Sequence, residues 1–398
     1  MSGVESRLRD LLEAAVGEPP HRVTIAAVRR RVIRRRVLEA ATVVAAAVVV
    51  AGIAVAAAAR APGAGRASGP VSHAGAPRYY VQQSFPAARQ PPAVVRATVS
   101  GRVTATPTCP WPKANIAPQG FASAGHQAFF MICERIARQG KVFVVTGTRI
   151  YRLQLTGSGR VSGYSPVPGG ALGPHRPEGI TATLDGSEVA VIAGPATLGR
   201  LPSAPADIVV INTQTGARAV WHGGAAVFSA GSLTFTTDGS ALEFIGIKRC
   251  ALVRISLACQ QLRAVGHATT GGQLDNSRLL LPLSALKLQP GDQVNDVVLS
   301  PDGLTLTAAV IPNPKGPGRP SSILVTEYSA ATGRQLRILY QMHAGNGFFY
   351  RFLSSDPTGR YLIFNAGPAS GTVNGWIDHG RLIRLKPADG SNVLYETW

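Results

Sequence analysis

VVLSPDGLTLTAAV, from Val297 to Val310, is the stretch on which the fold turns. An apolar run, Val297-Val298-Leu299, stops at Ser300-Pro301-Asp302-Gly303, and a second apolar run follows at once. Asp bonds back to its own backbone and Gly accepts a positive φ, so Asp-Gly between two such runs predicts a β-hairpin.

The same grammar returns three times: ITATLDGSEVAVIAG from Ile180, LTFTTDGSALEFIG from Leu233 and FLSSDPTGRYLIFNAG from Phe352. The turn residues are Asp185-Gly186, Asp238-Gly239, Asp302-Gly303 and Asp356 with Gly359, and the glycines stand 53, 64 and 56 residues apart. Internal repetition at this period marks an array of supersecondary units. Further hairpins follow the copies, in DIVVINTQTGARAVW (Asp207–Trp221), SILVTEYSAATGRQLRILY (Ser322–Tyr340) and GRLIRLKPADGSNVLYETW (Gly380–Trp398). After the second copy, CALVRISLA and a strand near Ser277–Ser284 fill that place. GFASAGHQAFFMIC and RIYRLQLTGSGRVSGY supply a degenerate first copy upstream. Each copy is then about four strands, the size of a propeller blade. Five blades are counted, and the remaining strands, Tyr79–Gln83 and Val94–Thr106, are expected to complete a sixth with the C-terminal strands. That closure would remove open sheet edges.

The Leu299–Gly303 turn and the paired turns at Thr215-Gly216 and Thr332-Gly333 resemble those of TolB-like and WD-repeat-like β-propellers. The Trp-Asp dipeptide of WD repeats is missing. The whole chain is also similar to a family of actinobacterial single-pass membrane proteins with this layout. The resemblance implies a propeller from Tyr79 to Trp398 and brings no assigned activity. The expected fold is thus all-β, an irregular propeller of five to six four-stranded blades, preceded by one transmembrane helix and a short helical cytoplasmic tail.

Residues 37–59 carry the membrane expectation. From Ala40 to Ala59 the chain reads AATVVAAAVVVAGIAVAAAA, with Thr42 the one polar side chain. With Leu38 and Glu39 included, a helix here would cover roughly 33 Å, enough for a hydrocarbon core of about 30 Å. Arg29, Arg30, Arg31, Arg34, Arg35 and Arg36, with Arg22, precede it, while Arg60, Arg66 and Arg78 follow. This excess of arginine places the N-terminus in the cytoplasm and residues 79–398 outside. A cleaved signal peptide is the competing reading, but the 36 residues before the span far exceed an ordinary n-region. Gly52 and Ala56 form a small-xxx-small pair that would let two spans associate weakly as a homodimer. Within the basic tail, residues 1–36, Leu8, Leu11, Leu12, Ala15 and Val16 lie on one stripe of a short helix. Residues 60–78, rich in Ala, Gly and Pro, read as a flexible linker.

The chain has 40 Lys and Arg against 21 acids. A basic domain suits an anionic envelope surface or nucleic acid; the outward topology argues against the second, and a solvated, arginine-rich surface without a partner is the favoured reading. The four cysteines, Cys109, Cys133, Cys250 and Cys259, all follow the span, which permits two disulfides. The sequence-local pairing, Cys109 with Cys133 and Cys250 with Cys259, is favoured.

Catalytic motifs are lacking: no Gly-x-Ser-x-Gly, His-Glu-x-x-His, phosphate loop or dinucleotide fingerprint occurs. Ser284-Ala285-Leu286-Lys287 matches Ser-x-x-Lys without the companion motifs that would give it meaning. Asp185, Asp238, Asp302 and Asp356 suggest a carboxylate ring, but their hairpin positions assign them to the turns. His126, His175, His222, His267, His343 and His379 are scattered singly. No catalytic residue, metal or cofactor is therefore expected. The favoured function is a non-catalytic, membrane-anchored binding or sensing module for an unidentified envelope component or protein. A cell-envelope hydrolase or lyase, with its site in the propeller channel, is the alternative.

Overall fold

The computed structural model describes residues 77–84, 93–111 and, with short interruptions, 118–397. The tail, the apolar span 37–59, its flanking arginines Arg29 to Arg36 and nearly all of the linker lie outside the described residues. Among the described residues, no helix is long and apolar enough to cross a membrane.

Among the described residues, twenty-five strands make six sheets. The chain begins with β1 (Tyr79–Ser84), β2 (Ala93–Ala97) and β3 (Val103–Ala105). Blade 2 is β4 (Gly120–Ser123), β5 (Ala128–Gln139), β6 (Val142–Leu155) and β7 (Val161–Gly173). Blade 3 is β8 (Arg176–Ala182), β9 (Glu188–Gly194), β10 (Asp207–Asn212) and β11 (Arg218–His222). Blade 4 holds β12 (Ser229–Phe235), β13 (Ala241–Ile247), β14 (Gln260–Gly266) and β16 (Arg278–Pro282). The short β15 (Gly272–Gln273), inserted before β16, pairs in parallel with β11 and covers the outer edge of blade 3. Blade 5 is β17 (Gln293–Leu299), β18 (Thr305–Ile311), β19 (Ser321–Ser329) and β20 (Gln335–Ala344). Blade 6 is β21 (Phe348–Ser355), β22 (Tyr361–Pro368), β23 (Val373–Asp378) and β24 (Arg381–Arg384). Finally β25 (Val393–Thr397) pairs antiparallel with β1, so blade 1 reads β25-β1-β2-β3.

Blades 2, 3, 5 and 6 are therefore built from runs of successive strands, blade 4 passes over β15, and a sixth sheet joins the two ends of the domain. The first strands β4, β8, β12, β17, β21 and β25 touch one another in that order, and β25 returns to β4. That closed ring is what makes the sheets a propeller.

Packing follows from period two. The second strand of each blade is buried on both faces and so reads as an unbroken apolar run. Val189, Val191 and Ala193 of β9 face Phe130 and Ile132 of blade 2. The intervening Ala190 and Ile192 face Phe244 and Leu242 of blade 4. The same division recurs at the seam of blades 4 and 5, where Ile245 and Leu262 meet Leu306, Ala308 and Val310. Between blades 1 and 2, Val81 and Val95 meet Phe129 and Met131. The core is thus a set of inter-blade seams, not one central mass.

Two strand assignments shift relative to the sequence reading. The third strand of blade 4 is Gln260–Gly266, downstream of CALVRISLA. The last hairpin is split: β24 belongs to blade 6, while Val393–Thr397 crosses to β1, because closing the ring pairs two edges that would otherwise stay open.

Candidate functional site

The Asp-Gly turns share one face of the ring and pack on their neighbours in sequence. A Cβ at Gly186 would lie 2.9 Å from the Ala124 Cβ, and one at Gly359 would lie 2.2 Å from the Pro301 Cδ. Thr237 N donates to Pro301 O (2.8 Å), tying the turn of blade 4 to that of blade 5. Gly359 has φ +70° and Gly303 φ +69°, values that strain any residue with a Cβ.

Each turn aspartate is occupied locally. Asp185 Oδ1 accepts from Thr183 Oγ1 (2.7 Å), Ser187 N (2.9 Å) and Ser187 Oγ (2.8 Å). Burial alone would raise its carboxyl, but these hydrogen bonds hold it below the ordinary value. Asp238 Oδ1 accepts from Thr236 Oγ1 (2.7 Å), Ser240 N (3.0 Å) and Ser240 Oγ (2.8 Å). The Ser240 amide, then the two hydroxyls, keep its carboxyl low. Asp302 Oδ1 takes Ser300 Oγ (2.5 Å) and Leu304 N (2.9 Å). Asp356 differs because it opens its turn, at the position held by Thr183, Thr236 and Ser300 in the others, and because its side chain is buried. Its Oδ1 accepts from Tyr361 N (2.8 Å), and its Oδ2 accepts from Thr358 N (3.1 Å) and the Thr358 hydroxyl. Burial raises this carboxyl against those hydrogen bonds. The four carboxylates are thus turn braces, each spent on its own hairpin.

Inside the ring of turns lies a cavity of about 100 Å³ lined from five blades. Thr181, Thr234, Thr237, Ser354 and Ser355 supply hydroxyls. Ile180, Leu184, Leu233 and Phe235 supply apolar surface, and Leu184 is 41% exposed. Asp356 is its one ionisable lining residue. A second cavity, of about 170 Å³, opens between blades 5 and 6, where Arg337 and Glu327 form an ion pair.

The other singled-out residues do not converge on either place. Ser284 and Lys287 are exposed, Ser284 in a short 3-10 turn between β16 and β17. His222 Nδ1 lies 3.2 Å from Asp207 Oδ2 on the surface of blade 3, and His175 is exposed. The side chains of His126, His267, His343 and His379 lie outside the described residues. Among the described residues, no group of three His, Cys, Asp or Glu is placed to hold a metal. Cys109 and Cys133 form a disulfide, with Cα atoms 5.8 Å apart. Cys259 is also disulfide-bonded, while Cys250 lies outside the described residues.

Sequence reasoning passed over three buried or bridging carboxyls. Asp296, on β17, accepts from Val297 N (2.9 Å), from Leu353 N of β21 (3.0 Å) and from Ser232 Oγ of β12 (3.4 Å). It ties together the first strands of blades 4, 5 and 6. Bulges at this level interrupt β8, β12, β17 and β21. Ser232, inside the β12 bulge, has φ 48°. Glu243 on β13 and Glu134 on β5 are buried, and burial lifts each carboxyl to about 7. Arg278 partly offsets this at Glu243 and Arg176 at Glu134, while Asp302 adds to the rise at Glu243.

No family model matches this chain. No curated protein matches it either. Among solved structures it is similar to TolB from Acinetobacter baumannii at 13% identity and TM-score 0.49, over 80% of this chain and 65% of that one. It therefore spans just under two thirds of that protein's length. A putative TolB from Agrobacterium tumefaciens is similar at 13% identity and TM-score 0.41, over 78% and 90%. A putative 6-phosphogluconolactonase from Bacteroides uniformis is similar at 11% identity and TM-score 0.38, over 80% and 98%. The propeller assignment itself rests on the strand pairing and the closed ring.

Proposed function

We propose that this chain is a membrane-anchored, extracytoplasmic binding or sensing module without catalytic activity, whose ligand docks at the mouth ringed by the Asp-Gly turns. The carrying observation is the chemistry of that mouth: hydroxyls and apolar side chains from five blades around one carboxylate. Hydroxyls beside exposed Leu and buried Phe suit a neutral or partly apolar segment, the usual make-up of a recognition pocket. A hydrolase or lyase needs an acid, a base or a nucleophile placed to act. Asp356 is a poor candidate, since both its oxygens already accept hydrogen bonds from its own turn. Membrane anchoring and outward topology are supported by the apolar span and the arginines before it.

The test has two arms. An impermeant reagent on intact cells should label the propeller, and a photo-crosslinker at Leu184 should capture an envelope component that the Leu184→Asp variant releases. Protection of the propeller from the reagent would overturn the topology. Turnover of an envelope polymer, abolished by substitutions at the mouth, would overturn the non-catalytic reading.

A further inference from the structure

Charge is shared very unevenly among the blades. Residues 79–177, which contain β1 to β7, hold eleven Lys and Arg and a single acid, Glu134. Residues 178–398 hold seventeen Lys and Arg and fifteen acids. Arg176 stands on β8 of blade 3 and Glu396 on β25 of blade 1, so most of the domain's positive excess belongs to blades 1 and 2, neighbours that share one apolar seam. The lone acid of this region is buried, and burial raises its carboxyl to about 7.

Blade 2 also carries a projection. β5 and β6 pair all the way from Ala128↔Gln154 to Gln139↔Val142. Yet β4 reaches only as far as Ile132, and β7 only as far as Thr148. From Arg135 to Gly147 the two strands form a ribbon: among the described residues, no further strand of their sheet lies beside them, although Val145 is buried and its N donates to Ala196 O (3.0 Å). At its base the guanidinium groups of Arg135 and Arg149 stack on the Trp111 ring, 3.9 Å and 4.8 Å from its centroid. The Cys109–Cys133 disulfide fastens the segment that delivers Trp111. Stacking on an indole holds both guanidinium groups in place. Towards the tip, exposed Arg138 lies across from Phe143, which is 54% exposed. At about 3.3 Å per residue, Arg135 and Arg138 stand roughly 10 Å apart along the strand. Their odd spacing puts Arg138 on the face opposite Arg135, so the charges are strung out along both faces of the ribbon and match a chain of anions better than one small ion. The ribbon leaves the face opposite the Asp-Gly turns, whereas the chain enters the domain on the turn face, where Tyr79 Oη donates to Gly157 O (2.6 Å).

We propose that blades 1 and 2 form a polyanion-binding sector centred on Arg135, Arg138 and Arg149, and that its ligand is an extracytoplasmic polymer bearing repeated phosphate or carboxylate groups. The polyanion chemistry stands on the charge distribution alone, while the extracytoplasmic setting rests on the topology proposed above. The disulfide inside the sector fits an oxidising compartment, which favours an envelope polymer over nucleic acid.

The full chain in detergent micelles, titrated with inorganic polyphosphate, poly-glutamate and single-stranded DNA of matched charge over a series of salt concentrations, tests this. Polyphosphate or poly-glutamate should bind, with log affinity falling linearly against log salt. The triple variant R135Q/R138Q/R149Q should lose roughly tenfold or more and show a shallower salt slope. The triple variant K287Q/R334Q/R360Q, which removes as many charges from blades 4 to 6, should bind like the parent. Equal losses in the two triples, or no loss in the first, would overturn the sector. DNA binding more than about tenfold tighter than both other polymers would overturn the envelope-polymer assignment in favour of nucleic acid. Should the first triple fail to fold by circular dichroism, R138E/F143S at the ribbon tip decides instead, with loss supporting the sector and parental affinity refuting it. The labelling assay on cells is read separately, so failure of the topology and failure of the sector are distinguishable.

Discussion

Replacing Glu243 by Gln should make the stability of the propeller less dependent on pH, in a direction the structure dictates. Glu243 is 5% exposed, sits on β13 and faces the next blade's turn, where a Cβ on Gly303 would stand 2.9 Å from its Oε1. Its Oε2 is buried and has no hydrogen-bond partner in the described structure. The charged groups acting on it are Arg278 and Asp302. Burial dominates and raises its carboxyl from 4.5 to about 7. A folded-state value above the unfolded one means that the folded protein holds the proton more tightly. Stability is therefore greatest below about pH 4.5 and falls as pH rises through the window from 4.5 to 7. A displacement of this size corresponds to about 3 kcal/mol at 1.36 kcal/mol per pH unit. Glutamine reproduces the neutral side chain at every pH. Denaturant unfolding of the propeller at several pH values should show E243Q close to the parent near pH 4.5 and more stable by up to about 3 kcal/mol at pH 8. A difference between the two proteins that stays constant with pH would refute the reasoning, because a cost independent of pH cannot come from ionisation.

Glu134 should behave in the same way, so E134Q adds a second stabilisation above pH 7, read in the same titration, with E134Q/E243Q nearly additive because the residues lie in different seams. Gly359→Ala should destabilise by roughly 1–3 kcal/mol in thermal or denaturant unfolding, since φ is +70° and the new Cβ would meet Pro301 at 2.2 Å. Cys109→Ser with Cys133→Ser opens a loop of 24-residue separation and should cost about 3 kcal/mol, measured against the oxidised parent. Asp302→Ala removes the acceptor for Ser300 Oγ and Leu304 N and should cost about 1–2 kcal/mol, whereas Asp302→Asn should retain part of that.

What the sequence disclosed was local. Asp302 and Gly303 announce a hairpin because both halves of the signal, a side chain that bonds its own turn and a backbone at φ +69°, lie within three residues. Blade 2 uses Ser123-Ala124-Gly125 in that place, with Gly125 at φ +85° and no aspartate, and so reads as degenerate. Where the pattern depended on distant partners it was only partly legible. Val393–Thr397 follows a turn-like Pro-Ala-Asp-Gly and looks like the return strand of a hairpin, yet it pairs with β1, more than three hundred residues earlier. The closure itself is expected, because strands left over at both ends of the domain have open edges to pair, but local grammar does not say which C-terminal strand crosses.

Asp296 shows the same limit at the level of a single side chain. Between Asn295 and Val297 it looks like a polar residue on the exposed phase of a strand, with nothing in its neighbours to mark it. Its role comes from the bulge between Val294 and Asp296 and from partners on β12 and β21, 64 and 57 residues away. A bulge re-aims a side chain and leaves no residue signature of its own when, as here, the extra residue is not glycine. The ring brings β12 and β21 to either side of β17, and only then does one carboxylate satisfy an amide in one neighbour and a hydroxyl in the other. The charge asymmetry of blades 1 and 2 has a related history. The eleven cations of residues 79–177 were countable from the start, but a count along a chain becomes a surface only when strands from one stretch are shown to share adjacent blades. In a propeller sequence order maps onto angular position, so charge segregated along this chain must also be segregated around the ring. That mapping gives the basic sector its physical extent, and it is why the ribbon variants, and not net charge in general, should control polyanion binding.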